Sequence, residues 1–158
     1  MSVTVVNLQR KIPLDSSKFR TFCAKLRAEV DEAANKEFAV AFISDRRMTE
    51  LNKFFRGKDT TTDVLSFPHE ADEFEMANKA AAAPGSQLSA ASEDQFLGDI
   101  VVSIERAATQ AEENGLQLDG EIKQLVLHGL LHLCGYDHET DNGEMNTREL
   151  QLREQLGI

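Results

Sequence analysis

The sequence predicts an α+β fold: a single domain over 1–158, with a small four-stranded mixed sheet packed against helices. Three observations carry that prediction. Four short runs rich in Val, Ile, Leu and Phe are separated by helical patterns, without strict strand–helix alternation. A length of 158 residues fits one domain with an ordinary hydrophobic core. Three of the four histidines fall between His128 and His138, at the end of an apolar run that reads as a core helix.

The elements follow in order. Val3–Leu8 is β-branched and short, and reads as a first strand. Pro13 precedes Asp15 and Ser16, either of which can cap a helix. Phe19, Phe22, Cys23, Leu26 and Val30 recur at helical steps, so this helix should run to about Asn35. Phe38–Ile43 is the second strand. Ser44 or Asp45 caps the next helix, with Met48, Leu51 and Phe55 expected to face inward and an end near Arg56-Gly57. After the polar turn Lys58–Asp63, Val64–Phe67 forms a third strand that Pro68 ends. Between His69 and Gln95 the composition shifts to alanine repeats, Pro84-Gly85 and acids, the pattern of a mobile insertion between two strands. Phe96–Ser103 is the fourth strand. Ser103 caps a helix over Ile104–Asn114, which Gly115 closes. The histidine-bearing helix opens near Leu118–Gly120, and the chain turns at Gly135. Glu144–Leu156 is a last helix, with Leu150, Leu152 and Leu156 as its apolar residues.

Composition narrows the function classes. Hydrophobic residues make up 41% and charged residues 28%, values of a soluble globular protein. No apolar run approaches the roughly 20 residues of a membrane helix, and Met1–Leu8 lacks the pattern of a signal peptide. Cys23 and Cys134 form no C-x-x-C pair, so a reducing, cytoplasmic location is expected. The net charge of −10 argues against a general nucleic-acid binder. Its distribution is uneven, however. Glu70–Gln95 carries a net of −5, whereas Asp45–Lys58 (Arg46, Arg47, Lys53, Arg56 and Lys58 against Asp45 and Glu50) carries +3. An anionic ligand can be met locally by that basic stretch, which is equally the composition of a solvated helix face.

The stretch from His128 to His138 carries the chemistry. His128 and His132 stand four apart and share a helix face. Gly135 lets the chain turn and bring His138 back toward them. Three neutral imidazoles with an open fourth position compose a catalytic type of zinc site. Zinc is preferred over nickel or copper from ligand type and availability. A closed structural site would need a fourth ligand such as Cys134, but that thiol falls on another helix face and reads as a small buried residue. His69 could supply a further ligand, though it reads as a surface histidine. The spacing H-x3-H-x2-G-x2-H is that of the metzincin proteases. Those enzymes place their general base, a Glu, directly after the first His; here Gly129 stands there. Peptide hydrolysis loses its proton acceptor.

Three blocks together resemble a known family. His128–His138, reading His-Gly-Leu-Leu-His-Leu-Cys-Gly-Tyr-Asp-His, resembles the signature of the bacterial endoribonuclease YbeY family of rRNA maturation factors. Asn52–Asp59 with Thr62–Pro68 is similar to that family's second block, and Leu97–Ser103 to its third. The blocks stand in the family's order, and only Glu70–Gln95 departs, being longer and more acidic than expected there. The resemblance implies one zinc ion per chain on His128, His132 and His138, with Arg56 as the arginine near the metal cleft. It also implies a hydrolase of single-stranded RNA acting in ribosomal RNA maturation and ribosome quality control. The partners it implies are ribosomal RNA and small ribosomal subunit components, with neither membrane nor DNA expected. Asp137 could accept a proton or order the histidine loop, with the ordering role favoured, and Tyr136 reads as packing. Two other functions fit the residues: a non-catalytic, zinc-stabilised ribosome assembly factor, and a metallohydrolase of another substrate.

Overall fold

In the computed structural model, residues 3–69 and 96–158 are described. The expected insertion lies outside them, apart from its first residue, His69. Strands β1 (Thr4–Asn7), β2 (Glu37–Ile43), β3 (Val64–Pro68) and β4 (Phe96–Ser103) form one sheet in the order β1-β2-β4-β3. β2 pairs in parallel with both β1 and β4, and β3 runs antiparallel to β4. The sheet is mixed, as predicted. Ile100, Val101, Val102 and Ser103 are consecutively buried, as a strand covered on both faces requires.

Among the described residues, five α-helices surround the sheet: α1 (Ser16–Glu29), α2 (Asp45–Arg56), α3 (Ile104–Asn114), α4 (Leu118–Leu133) and α5 (Glu144–Leu156). Their starts follow the predicted caps. Asp15 accepts from the Ser17 N–H at 3.1 Å, Ser44 from Arg47 N–H at 3.3 Å, and Ser103 from Arg106 N–H at 3.3 Å. Gly57 closes α2 in the left-handed region, at φ 69°.

Three local expectations need correcting. α1 stops at Glu29 rather than near Asn35. Val30 turns extended into the core, a short 3-10 turn follows over Asp31–Ala33, and Asn35 takes φ 61° to lead the chain into β2. Phe55 does not face the core but is 57% exposed. Its ring meets Phe67, at 5.0 Å between centroids, and the exposed Phe54, at 4.8 Å, because β3 is the sheet's edge and offers no further strand to cover it. Leu150 is likewise exposed, and Met145 takes its place on the buried side of α5.

The main core lies between one sheet face and helices α1, α4 and α5, with Phe19, Leu26, Phe42, Ile100, Leu127 and Leu130 all fully buried. A smaller cluster of Ile43, Met48, Leu65 and Val101 sits under α2 on the other face. α4 is apolar nearly all round, and each fully buried leucine contributes about 1.5–3 kcal/mol. That burial makes α4 a rigid post for His128 and His132, which keep one partly open side. Gly129 sets how closely the post stands to the sheet. A Cβ there would lie 2.7 Å from Ile100 Cγ2, and the Ser66 hydroxyl donates to the Gly129 carbonyl at 2.9 Å. No helix among the described residues is long and apolar enough to cross a membrane.

Candidate metal and active site

α4 ends at Leu133, and Gly135 at φ 101° reverses the chain so that His138 comes back over His128 and His132. One ligand-capable nitrogen from each of the three lies within 4.8 Å of the others. Among the described residues this is the one such convergence of metal-ligating side chains. His69 is not part of it; it is exposed, with its ring against Phe96. Cys134 is also outside the group, and it packs at the core margin, where burial pushes its thiol up to about 11.

Hydrogen bonds fix the tautomers. His132 Nδ1 lies 3.0 Å from the Tyr136 carbonyl oxygen, which can only accept, so the proton sits on Nδ1. His128 Nδ1 lies 2.6 Å from Glu149 Oε1. Burial pushes the Glu149 carboxyl up, but the bond to His128 and the Arg153 guanidinium at 2.5 Å outweigh it and hold it below the usual range. Glu149 is therefore an ionised acceptor, and His128 also carries its proton on Nδ1. Both Nε2 atoms are left with lone pairs, and they face each other across 3.2 Å. Two such lone pairs repel unless a cation lies between them. A tetrahedral ion with imidazole bonds of about 2.0–2.1 Å would hold two nitrogens about 3.3 Å apart. The residues fit a metal ion. Burial, and next the His128 ring, also lower the pKa of His132, favouring the neutral form that a metal requires.

The turn carrying His138 is tied from outside. The Tyr136 hydroxyl donates to Glu32 Oε2 at 2.7 Å, and Arg148 donates to both Glu32 oxygens, from Nε at 3.0 Å and from its terminal nitrogen at 2.8 Å. The fork of Arg148, aided by Tyr136, holds the Glu32 carboxyl at about 2, against an ordinary value of 4.5. A depressed carboxyl stabilises the fold fully above its unfolded pKa, and that stability is lost as pH falls toward the folded value. The melting-temperature gap between the parent and Glu32→Gln should therefore be constant above pH 4.5 and close as pH falls to about 2. A gap that does not change across that range, in thermal melts, would remove Glu32 from this role.

A cleft of about 610 Å³ opens over the three histidines. Arg56, the last residue of α2, lines it together with Ser66, Tyr136 and Asp137. Arg56 is exposed. Asp137 is exposed too, and its carboxylate accepts from the Glu139 N–H at 3.1 Å within the turn rather than from a histidine. Sequence reasoning missed Glu149, Arg153, Glu32, Arg148 and Ser66. One signal was available. Glu149 falls on the same face as Met145, Leu152 and Leu156, and an acid on the buried stripe of a helix needs a partner.

Comparison with known proteins gives the family of the chain. The profile of the family described as Endoribonuclease YbeY matches residues 4–157. A protein named Endoribonuclease YbeY from Nautilia profundicola is 44% identical over 124 residues, covering 78% of this chain and 75% of that one. Another of that name, from Caldanaerobacter subterraneus, is 38% identical over 165 residues, covering 100% of this chain and 99% of its own. The solution structure of the Thermotoga maritima protein TM1509 is similar in fold, with a TM-score of 0.61 and 25% identity over 98% of this chain and 88% of that one. A match across nearly the whole length, with such relatives, assigns this chain to the endoribonuclease YbeY family.

Proposed function

We propose that the chain is a zinc-dependent endoribonuclease that cuts single-stranded RNA in cytoplasmic ribosomal RNA maturation and ribosome quality control. The observation that carries this reading is the pair of facing Nε2 atoms, 3.2 Å apart, at the floor of a cleft that Arg56 also lines. His128, His132 and His138 are the residues that would hold the ion. When bound, zinc supplies a Lewis acid for a phosphoryl oxygen and brings the pKa of water at its open position to about 7.

The chain's own residues do the rest. Glu149 keeps the His128 ring oriented and protonated on Nδ1, and Tyr136 does the same for His132 through its carbonyl. Arg56 presents its planar fork to two non-bridging oxygens of a phosphodiester and stabilises the charge that develops there. Family membership supports the reaction class, and the +3 balance of Asp45–Lys58 supports an anionic strand on the Arg56 side. Small ribosomal subunit components would be the setting for such an RNA. Gly129, where a protease carries its base, supports phosphodiester rather than peptide chemistry.

The test is cleavage of a labelled single-stranded RNA by purified protein, with chelator and with zinc added back. Cleavage lost with chelator and restored by zinc is expected. Arg56→Ala should lower turnover about 10²–10³-fold, the usual cost of one charge-stabilising donor. Being exposed, the same substitution should leave stability within about 0.5 kcal/mol. Unchanged turnover in that variant would take Arg56 out of the reaction. No cleavage by a protein that still binds zinc would favour the assembly-factor reading.

A further inference from the structure

Among the described residues, Phe54 and Phe55 are the one adjacent pair of exposed large apolar side chains, and Phe54, at 81%, is the most exposed of them all. Their rings meet edge to face with centroids 4.8 Å apart, and Phe67 of β3 backs Phe55 at 5.0 Å. Phe67 in turn packs on the small core under α2. The turn beneath the rings is fixed as well. The buried Asn52 donates from Nδ2 to the Thr60 carbonyl at 2.8 Å, and the Gly57 N–H donates to the Lys53 carbonyl at 3.0 Å. The rings are thus held out toward solvent, and proteins that display grouped apolar surface use it to bind.

The charge beside them says what they bind. Lys53, Arg56 and Lys58 are all exposed. Earlier in α2, Arg46 and Arg47 lean on Glu50, whereas these three make no ion pair among the described residues. Against them stand Asp59 and, opposite Phe67 across the β3–β4 pair, Asp99, so the helix end of the ring row stays positive. The row also borders the metal cleft: Arg56, next to Phe55, lines that cleft, as do Ser66 and Pro68 on either side of Phe67. Flat aromatic faces with unpaired cations beside them match a single-stranded nucleic acid, whose bases stack while its phosphates follow the positive charge. Continuity with the cleft through Arg56 favours such a strand over a lipid surface.

We propose that Phe54 and Phe55 form a stacking platform for unpaired bases of the RNA strand whose linkage lies in the metal cleft, with Lys53 and Lys58 on its phosphates. Phe67 props the platform from behind. Naming RNA as the occupant rests on the ribonuclease reading above.

The chain contains no tryptophan, so Phe54→Trp places a single indole on the platform as a reporter. In the metal-loaded full chain, a short single-stranded RNA should quench that indole on mixing, before cleavage proceeds, and inorganic polyphosphate should not. In binding of a labelled strand, Phe54→Ala and Phe54→Leu should each weaken affinity about tenfold, the scale of one lost base stack. Phe54→Tyr, which keeps the ring, should bind like the parent. Lys53→Gln should lower the slope of log affinity against log salt by about 0.7. No quenching by RNA, equal quenching by polyphosphate, or a Phe54→Leu protein that binds like the parent would each overturn the platform. Indole emission that responds to phosphatidylserine vesicles and not to RNA would overturn it too and assign the face to a membrane. Quenching by RNA in a protein that cuts none would keep the platform and sink the ribonuclease reading; cleavage without quenching would do the reverse.

Discussion

His132→Ala is expected to abolish both metal binding and RNA cleavage while leaving the metal-free protein folded. His132 supplies one of the two facing Nε2 atoms, and its loss leaves His128 and His138 without the nitrogen 3.2 Å from His128. Two imidazoles do not make the three-ligand site that catalysis needs. The effect on the fold is smaller, because the core around α4 is assembled from Ile122, Val126, Leu127, Leu130 and Leu131 without any metal. The truncation loses one hydrogen bond to the Tyr136 carbonyl, a net of about 0.5–1.5 kcal/mol. Metal at 100 times its dissociation constant stabilises the parent by about 2.7 kcal/mol, and this increment should vanish in the variant. Metal content, melting with and without metal, and RNA cleavage check the three statements together. A variant that retains the parent's metal-dependent cleavage would sink the site. A parent that unfolds when stripped of metal would point instead to a structural ion.

Gly129→Glu, which restores the protease residue at its position, should prevent folding rather than create a peptidase. The helix α4 backbone is pressed onto the sheet at this point, with the missing Cβ 2.7 Å from Ile100 Cγ2 and 3.1 Å from Ser66 Oγ. Ile100 is fully buried in the interior strand and its β-branch is stiff. Even alanine forces a shift costing about 1–3 kcal/mol, offset in part by about 1 kcal/mol of helix propensity. A glutamate adds a carboxylate between α4 and β4, and burying an unpaired charge costs several kcal/mol more. That total is comparable with the 5–15 kcal/mol that holds a domain together. Circular dichroism and melting curves decide: Gly129→Ala should melt lower by a few degrees at most, and Gly129→Glu should show no cooperative transition. A Gly129→Glu protein melting close to the parent would mean that α4 can move away from the sheet. The glycine is thus a packing requirement as well as the mark that separates this chain from the metzincin spacing.

The amino-acid sequence alone determined most of the elements and the three-histidine cluster, because both are local. Caps at Asp15, Ser44 and Ser103 and the stop at Gly57 lie within a few residues of the groups they satisfy. His128 and His132 converge because a helix repeats every 3.6 residues, and His138 follows from one glycine turn. Long-range partners had no such periodicity to announce them. Glu149 reaches His128 from 21 residues away, and Arg148 meets Glu32 across 116. Only the packing of α5 against α4 and the 3-10 turn decided which acids hold the histidine ring and the loop. The same holds for Phe55, whose helical position is that of a core residue but whose neighbour is an edge strand. The cavity adjoining the metal cleft likewise exists only where residues of α3, α4 and α5 come together beside Asp63. Local chemistry fixes which residues can bind; tertiary packing fixes which groups they meet, since contacts between distant segments depend on the whole core closing at once.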